Sequence, residues 1–130
     1  IECLLMAEGP EELEAAEMLR ERRPEQVAVE MAAGAEAGLD VIESGAAVDC
    51  VVSDYRMPGM SGIELLRVVR DRYAGLPFIL YTGKGSEQVA KRAILDDVTD
   101  YVEKDVGTEQ YDVLAERINK AIRAPSGRRR

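Results

Sequence analysis

The sequence comprises 130 residues, of which 46% are hydrophobic and 32% are charged, and its formal net charge is −8. This length and apolar content suit one soluble domain with its own core, while the negative charge disfavours nucleic acid and anionic membranes as partners, because both would repel most of the surface. No apolar run approaches the roughly 20 residues that a membrane span needs, and no signal-peptide pattern opens the chain, so we expect a cytoplasmic protein.

Five short apolar segments alternate with five helical patterns along the chain. The predicted strands are Glu2–Ala7, Gln26–Met31, Asp49–Ser53, Pro77–Thr82 and Asp100–Glu103. The predicted helices are Glu11–Arg22, Ala35–Ser44, Ser61–Tyr73, Ser86–Leu95 and Thr108–Arg123. We therefore expect one folded domain over residues 1–123, followed by a flexible tail or linker over residues 124–130. Because the sequence begins at Ile1 without Met and ends in a polar stretch, we also expect it to be a module excised from a longer protein.

The order of the strands follows from their composition. The first, third and fourth strands are unbroken apolar runs, which is typical of strands covered on both faces, whereas the second and fifth interleave polar residues and resemble edge strands. With right-handed crossovers, these constraints favour the order 2-1-3-4-5. The predicted fold is an α/β, flavodoxin-like, doubly wound parallel sheet of five strands with helices on both faces.

The two cysteines give no indication of a metal site. Cys3 and Cys50 each lie within an apolar run, and the chain contains no histidine. We therefore do not expect structural zinc, and both thiols are predicted to be buried in the core as small apolar groups.

Four polar residues lie at or directly after the carboxyl ends of predicted strands. Glu8 follows the first strand, Asp54 the third and Lys104 the fifth, and Thr82 ends the fourth. In a parallel sheet these ends share one edge, and ligands of open α/β sheets bind there. We therefore expect Glu8, Asp54, Thr82 and Lys104 to share one small cavity.

This set of side chains suits the transfer of a phosphoryl group to a carboxylate. Asp54 would be the nucleophile. Mg²⁺ would take oxygen ligands from Glu8, Asp54 and a nearby backbone carbonyl, and would offset the charge of the incoming phosphate. Lys104 would supply a positive charge for phosphate oxygens and the Thr82 hydroxyl a hydrogen bond.

Three stretches carry a resemblance to a known family: Ser53 to Gly62, Phe78 to Gly83, and Asp100 to Lys104. On these residues the chain resembles the receiver domain of two-component response regulators, over essentially the whole stretch from Glu2 to Ile122. The resemblance implies that a histidine kinase or phosphotransfer protein donates the phosphoryl group. It also implies a signalling domain that catalyses its own phosphorylation and dephosphorylation, and not a metabolic enzyme.

The resemblance also implies a role for each matching residue. Asp54 is similar to the phosphoacceptor, and Arg56 to the residue whose backbone carbonyl binds the metal. Thr82 and Tyr101 are similar to the two switch residues that move on activation, and Lys104 to the lysine of the phosphate pocket. Homodimerisation through the fourth helix, fifth strand and fifth helix is a further implication, as is an output or kinase domain elsewhere in the same protein.

The chain departs from the family pattern after the first strand. Receivers normally carry two adjacent acidic residues there, and this chain has Ala7 and Glu8. Because Mg²⁺ requires near-ideal octahedral geometry, we expect weakened Mg²⁺ binding. Two functions stay open: a phosphoacceptor signalling domain with a weakened metal site, and a pseudo-receiver that acts as a phosphorylation-independent protein-interaction module.

A flavin-binding enzyme of the same fold class is disfavoured. The segment after the first strand, from Glu8 to Glu12, is acidic, and it would repel the phosphate of a flavin nucleotide. Hydrolases with an aspartyl nucleophile carry a second aspartate two residues later, as the resemblance to that class has it, and Arg56 stands at that position here.

Overall fold

The computed structural model describes residues 2–6, 10–22, 28–45, 47–57, 59–83, 87–104, 107 and 109–123. Its strands are β1 (Glu2–Met6), β2 (Ala28–Ala32), β3 (Cys50–Ser53), β4 (Phe78–Thr82) and β5 (Asp100–Glu103). Its helices are α1 (Pro10–Arg22), α2 (Ala35–Glu43), α3 (Gly62–Arg72), α4 (Glu87–Leu95) and α5 (Glu109–Arg123). The predicted alternation of strands and helices is therefore confirmed.

The differences from the predicted bounds lie at the ends of elements. Ser61 is the N-cap of α3 and Ser44 is the C-cap of α2, so each lies just outside its helix. Asp49 and Pro77 precede their strands. The predicted end of β1 at Ala7, the start of α4 at Ser86, the start of α5 at Thr108 and the tail over residues 124–130 lie outside the described residues.

The strands form one parallel sheet in the order β2-β1-β3-β4-β5. This confirms the predicted order and the assignment of β2 and β5 as edges. The switch point of the sheet lies between β1 and β3, whose connections run to opposite faces.

Alternate residues of the central strands enter two separate cores. Cys3, Cys50 and Ile79 face a core formed with α1 and α5, whereas Leu4 and Val51 face a core formed with α2, α3 and α4. Because side chains of a strand alternate between faces, a run such as Cys50–Val52 is apolar on both faces, and all four residues of β3 are buried. Helices therefore cover both faces, as predicted.

The start of α3 is fixed by a capping box. Ser61 Oγ accepts a hydrogen bond of 3.2 Å from the backbone N–H of Glu64, and Glu64 Oε1 accepts one of 3.2 Å from the N–H of Ser61. This reciprocal pair satisfies two amide groups that the helix cannot pair itself. The turn that follows Asp54 therefore runs into α3 at a fixed residue.

An arginine joins the loops at the amino ends of β4 and β5. Arg70 donates from Nε to the carbonyl oxygen of Asp97 at 2.7 Å, from Nη1 to that of Leu76 at 2.6 Å, and from Nη2 to Thr99 Oγ1 at 3.0 Å. Thr99 Oγ1 in turn accepts the N–H of Phe78 at 2.9 Å. The side chain of Arg70 is 11% exposed, and its bonds to Leu76 and Thr99 are partly buried, whereas its bond to Asp97 lies at the surface. We call this set of contacts the Arg70 clasp.

The two thiols lie side by side on neighbouring strands. Cys3 and Cys50 are register partners of β1 and β3, and both are fully buried and free, as predicted. The hydrogen bond with Cys3 and burial raise the pKa of the Cys50 thiol well above its ordinary value. At neutral pH the Cys50 thiol is therefore a core group and not a nucleophile.

The helix α4 is the least buried of the fully described helices. Of its nine residues, Ala93 is the buried one, while Ile94 and Leu95 are 70% and 80% exposed. Across the part of the chain that the structure describes, no helix combines the length and the apolar character that crossing a membrane requires.

Candidate functional site

The candidate site lies where three parallel strands end at one edge of the sheet. Asp54 follows β3 directly, Thr82 is the last residue of β4, and Lys104 follows β5. The backbone N–H of Lys104 donates to the carbonyl oxygen of Thr82 at 2.7 Å, so the ends of β4 and β5 are held together. The sequence pattern of apolar runs ending in polar residues therefore places these side chains on one edge.

Two side chains approach Asp54 from different strands and contact different oxygens. Lys104 Nζ lies 2.6 Å from Asp54 Oδ2, and Thr82 Oγ1 donates to Asp54 Oδ1 at 2.8 Å. The side chains of Lys104 and Asp54 are 14% and 18% exposed, so the ion pair is largely withdrawn from water. The predicted convergence of Asp54, Thr82 and Lys104 is confirmed.

Backbone groups fix the orientation of the Asp54 side chain. Oδ1 accepts the N–H of Tyr55 at 2.6 Å and, more weakly, that of Arg56 at 3.4 Å. Ser53 Oγ donates to the carbonyl oxygen of Asp54 at 2.9 Å. The carboxylate is thus presented by its own loop, and each of its hydrogen bonds to the described residues comes from an N–H, a hydroxyl or an ammonium group.

A glycine allows this loop to pass close to the start of α3. The N–H of Gly62 donates to the carbonyl oxygen of Tyr55 at 2.8 Å. A Cβ atom on Gly62 would lie 2.3 Å from the carbonyl oxygen of Asp54 and 2.9 Å from Leu80 Cδ1. The sequence does not indicate this role for Gly62, because the close approach depends on how α3 packs across the end of β3.

Of the remaining predicted site residues, Arg56 lies two residues after Asp54, Tyr101 lies in β5, and Glu8 is outside the described chain. The Arg56 side chain is exposed and, with Tyr55, Met57 and Ser61, lines an open cleft beside Asp54. Tyr101 is half-buried and packs against the core on the side of α2, α3 and α4. The roles inferred for Arg56 and Tyr101 stay predictions.

The described part of the site is chemically compatible with Mg²⁺ but supplies one side-chain carboxylate. Asp54 and the Arg56 carbonyl are hard oxygen donors of the kind that Mg²⁺ takes. Among the described residues, no three side chains of His, Cys, Asp or Glu lie together as a metal site. Ala7 and Glu8, the positions at which the sequence departs from the receiver pattern, lie outside the described residues.

Comparison of the sequence with known proteins gives one consistent family. The sequence model of the family described as "Response regulator receiver domain" matches residues 10–118. The transcriptional regulatory protein FixJ of Bradyrhizobium diazoefficiens is 38% identical over 89 residues, which make up 68% of this chain and 42% of FixJ. The C4-dicarboxylate transport transcriptional regulatory protein DctD of Pseudomonas aeruginosa is 40% identical over 72 residues, 55% of this chain and 15% of DctD.

Solved structures agree with the sequence comparison. The response regulator receiver domain protein from Clostridium thermocellum superposes with a TM-score of 0.78 at 26% identity, and the match covers 93% of each chain. The match to each of the two curated relatives, by contrast, spans less than half of that relative's length. The likeness therefore concerns one domain of those regulators.

Proposed function

The chain belongs to the response regulator receiver domain family, and on that premise we propose that it accepts a phosphoryl group on Asp54 from the phosphohistidine of a histidine kinase or phosphotransfer protein. The observation that carries this proposal is the convergence of Lys104 Nζ and Thr82 Oγ1 on separate oxygens of Asp54, at 2.6 and 2.8 Å. The ammonium and the hydroxyl that contact this carboxylate can also bind the oxygens of a phosphoryl group attached to it.

The chemistry follows from these three side chains. A carboxylate oxygen of Asp54 attacks phosphorus, the bond from phosphorus to the donor's imidazole nitrogen breaks, and an aspartyl phosphate forms. The phosphoryl group brings negative charge, so Lys104 exchanges its contact with the carboxylate for contacts with phosphoryl oxygens. The Thr82 hydroxyl can donate to one of those oxygens from its place beside Asp54. Lys104 and Thr82 thus stabilise charge that the reaction brings to the site.

Receiver domains generally use Mg²⁺ at the phosphorylation site, and we assign its ligands here to Asp54, the backbone carbonyl of Arg56 and Glu8. When bound, the ion would offset the charge of the incoming phosphate. With Ala7 in place of one carboxylate, the site has fewer acidic groups to hold it. We therefore propose that Mg²⁺ binds more weakly here than in a receiver with two adjacent acidic residues.

The partners follow from the same premise. FixJ and DctD are named as transcriptional regulators, and this chain matches one part of each. We propose that it acts beside an output or kinase domain in a longer cytoplasmic protein. Association of two copies through α4, β5 and α5, with Tyr101 and Thr82 as the switch residues, is part of the same proposal.

Intact-mass measurement after incubation with acetyl phosphate and Mg²⁺ tests the phosphoacceptor role. We expect the chain to gain the mass of one phosphoryl group, and the variant Asp54→Asn to gain none. The matched control Asp71→Asn changes an exposed carboxylate in α3 and should react like the unaltered chain. If the folded chain gains no phosphoryl group from acetyl phosphate or from a phosphorylated phosphotransfer protein, the phosphoacceptor role is wrong. The pseudo-receiver is then the better description, and the presence of Ala7 where receivers carry an acidic residue favours it.

A further inference from the structure

Lys104 reaches Asp54 at the end of a long and flexible side chain. Four methylene groups separate its backbone from its ammonium, and fixing them costs conformational entropy that other contacts must offset. The ammonium is nevertheless 2.6 Å from Asp54 Oδ2. A neighbouring group that restricts its position would therefore raise the fraction of time that Lys104 spends at the site.

Tyr81 presents its ring to this ammonium. Lys104 Nζ lies 5.6 Å from the centroid of the Tyr81 ring, within the distance of about 6 Å at which a cation is attracted to an aromatic face. Tyr81 directly precedes Thr82 in β4, and its side chain turns into the core on the side of α1 and α5, where it is 2% exposed. The lysine is thus bordered by a carboxylate on one side and by a fixed aromatic ring on another.

The ring itself is anchored through its hydroxyl group. Tyr81 Oη donates to Gln110 Oε1, and Gln110 Nε2 donates to the carbonyl oxygen of Gly107 at 2.9 Å. Gln110 is in the first turn of α5, and Gly107 belongs to the segment between β5 and that helix. The amide of Gln110 therefore joins the ring to the segment that follows Lys104.

We propose that Tyr81, held by Gln110, is a positioning residue that keeps the Lys104 ammonium directed at Asp54. The proposal rests on the phosphoacceptor function for its kinetic consequence, whereas its structural consequence can be measured without phosphorylation. A purely structural role for Tyr81 would support the core equally well but would leave the contact between Lys104 and Asp54 unchanged.

The structural consequence is read from the NMR signal of the Lys104 ammonium in the full chain. A lysine held in a shielded ion pair exchanges its protons slowly enough for this signal to be observed. We expect Tyr81→Leu to abolish the signal, and Tyr81→Phe and Gln110→Ala to weaken it while the fold is kept. Tyr73→Phe and Tyr73→Leu are the matched controls, because Tyr73 lies at the other end of the fold beside the end of α3.

The kinetic consequence is read from the rate at which acetyl phosphate modifies Asp54. We expect Tyr81→Leu to lower this rate about tenfold, and Tyr81→Phe and Gln110→Ala to lower it about threefold, in line with the strength of a shielded cation–π contact. In the Lys104→Ala background, Tyr81→Leu should cause no further loss, since a residue that acts through Lys104 is coupled to it.

Two results would overturn the proposal. One is an unchanged Lys104 ammonium signal in folded Tyr81→Phe, Gln110→Ala and Tyr81→Leu variants. The other is an equal loss of rate on Tyr81→Leu with and without Lys104, which would make Tyr81 a general support of the core. If the unaltered chain takes up no phosphoryl group, the phosphoacceptor function fails, and the NMR comparison alone decides whether Tyr81 positions Lys104.

Discussion

Lys104 and Asp54 are 50 residues apart in the sequence, and their side chains meet at 2.6 Å. The pair is more than four-fifths shielded on both sides, with exposures of 14% and 18%. A shielded ion pair adds little net stability, but removing one partner leaves the other charge without compensation. The pair is therefore best understood as a feature of the chemistry that the site performs.

Replacing Lys104 should slow the phosphorylation of Asp54 while the chain still folds. We expect Lys104→Ala to lower the rate of Asp54 modification by acetyl phosphate about 100-fold, because a positive charge at the phosphoryl oxygens is lost. Lys104→Arg should restore part of the rate. Lys91→Ala removes an exposed lysine of α4 and should leave the rate unchanged. Equal rates for Lys104→Ala and the unaltered chain would contradict the assigned role.

Gly62 should not tolerate a side chain. The Cβ atom of Gly62→Ala would lie 2.3 Å from the carbonyl oxygen of Asp54, which is backbone and cannot move alone. We expect the free energy of unfolding to fall by about 1–3 kcal/mol. Gly75→Ala is the matched control, since a Cβ atom there meets nothing within 4 Å. Urea unfolding of both variants measures the difference, and equal stabilities would show that the loop moves freely.

The Arg70 clasp should contribute strongly to stability. Arg70→Ala removes the donor to the partly buried Leu76 carbonyl oxygen and to Thr99 Oγ1, and Arg70 itself is 11% exposed, so we expect a loss of about 2–3 kcal/mol. Arg70→Lys should recover little, because one ammonium cannot reproduce the planar fork.

The matched control for Arg70→Ala is Arg67→Ala. Arg67 Nε lies 3.0 Å from Asp96 Oδ2, but its side chain is 48% exposed, so its loss should cost less than about 1 kcal/mol. Thermal or urea unfolding distinguishes the two arginines. A cost for Arg67→Ala as large as that for Arg70→Ala would mean that burial does not decide their contributions.

The buried Cys50 thiol should make the free energy of unfolding depend on pH in the alkaline range. Because the pKa of Cys50 is raised in the fold, the folded chain keeps this proton at a pH where the unfolded chain loses it. The stabilising contribution is therefore complete below about pH 8.5, the ordinary thiol pKa, and is lost as the pH rises towards the folded pKa.

Cys50→Ala should show a flatter decline of stability above about pH 8.5 than the unaltered chain, by at most about 1.4 kcal/mol per pH unit. Urea unfolding at several pH values between neutral and alkaline conditions measures both curves. Parallel curves would show that the pKa of Cys50 is the same in the folded and the unfolded chain.

The Mg²⁺ site should respond to restoration of the acidic pair. We expect Ala7→Asp combined with Glu8→Asp to tighten Mg²⁺ binding by about 10–100-fold, because a missing group around the metal is returned. Titration of Mg²⁺, followed by the NMR signals of Asp54 and its neighbours, gives both affinities. Equal affinities would show that Ala7 and Glu8 do not weaken the site.

The sequence was sufficient to predict those features that depend on local pattern. Unbroken apolar runs predict the central strands, and polar residues at their ends, Asp54 and Lys104 among them, predict which side chains share the edge of the sheet. The predicted helix bounds differ from the observed ones where a capping residue such as Ser61 is included in the predicted helix but lies outside the observed one. Local pattern therefore predicts the fold and the centre of the site.

Features that depend on packing between distant segments could not be predicted. Gly62 is an ordinary turn residue in sequence, and its close approach to Asp54 exists only once α3 packs across β3. Arg70 gives no sign in the sequence that it bonds to residues 27 and 29 positions away. Tyr81 appears as one apolar residue of a buried strand, and its position beside Lys104 depends on the path of the chain after β5.

The Arg70 clasp also constrains how α4 can move. It holds Asp97 and Thr99, which follow α4, whereas the helix itself buries Ala93 alone among its nine described residues. A helix that is held at its carboxyl end moves by pivoting about that end. Any displacement of α4 would then be largest at Glu87, where the helix begins after the end of β4 at Thr82. A small change at the edge of the sheet would thus be enlarged into a tilt of a whole surface helix.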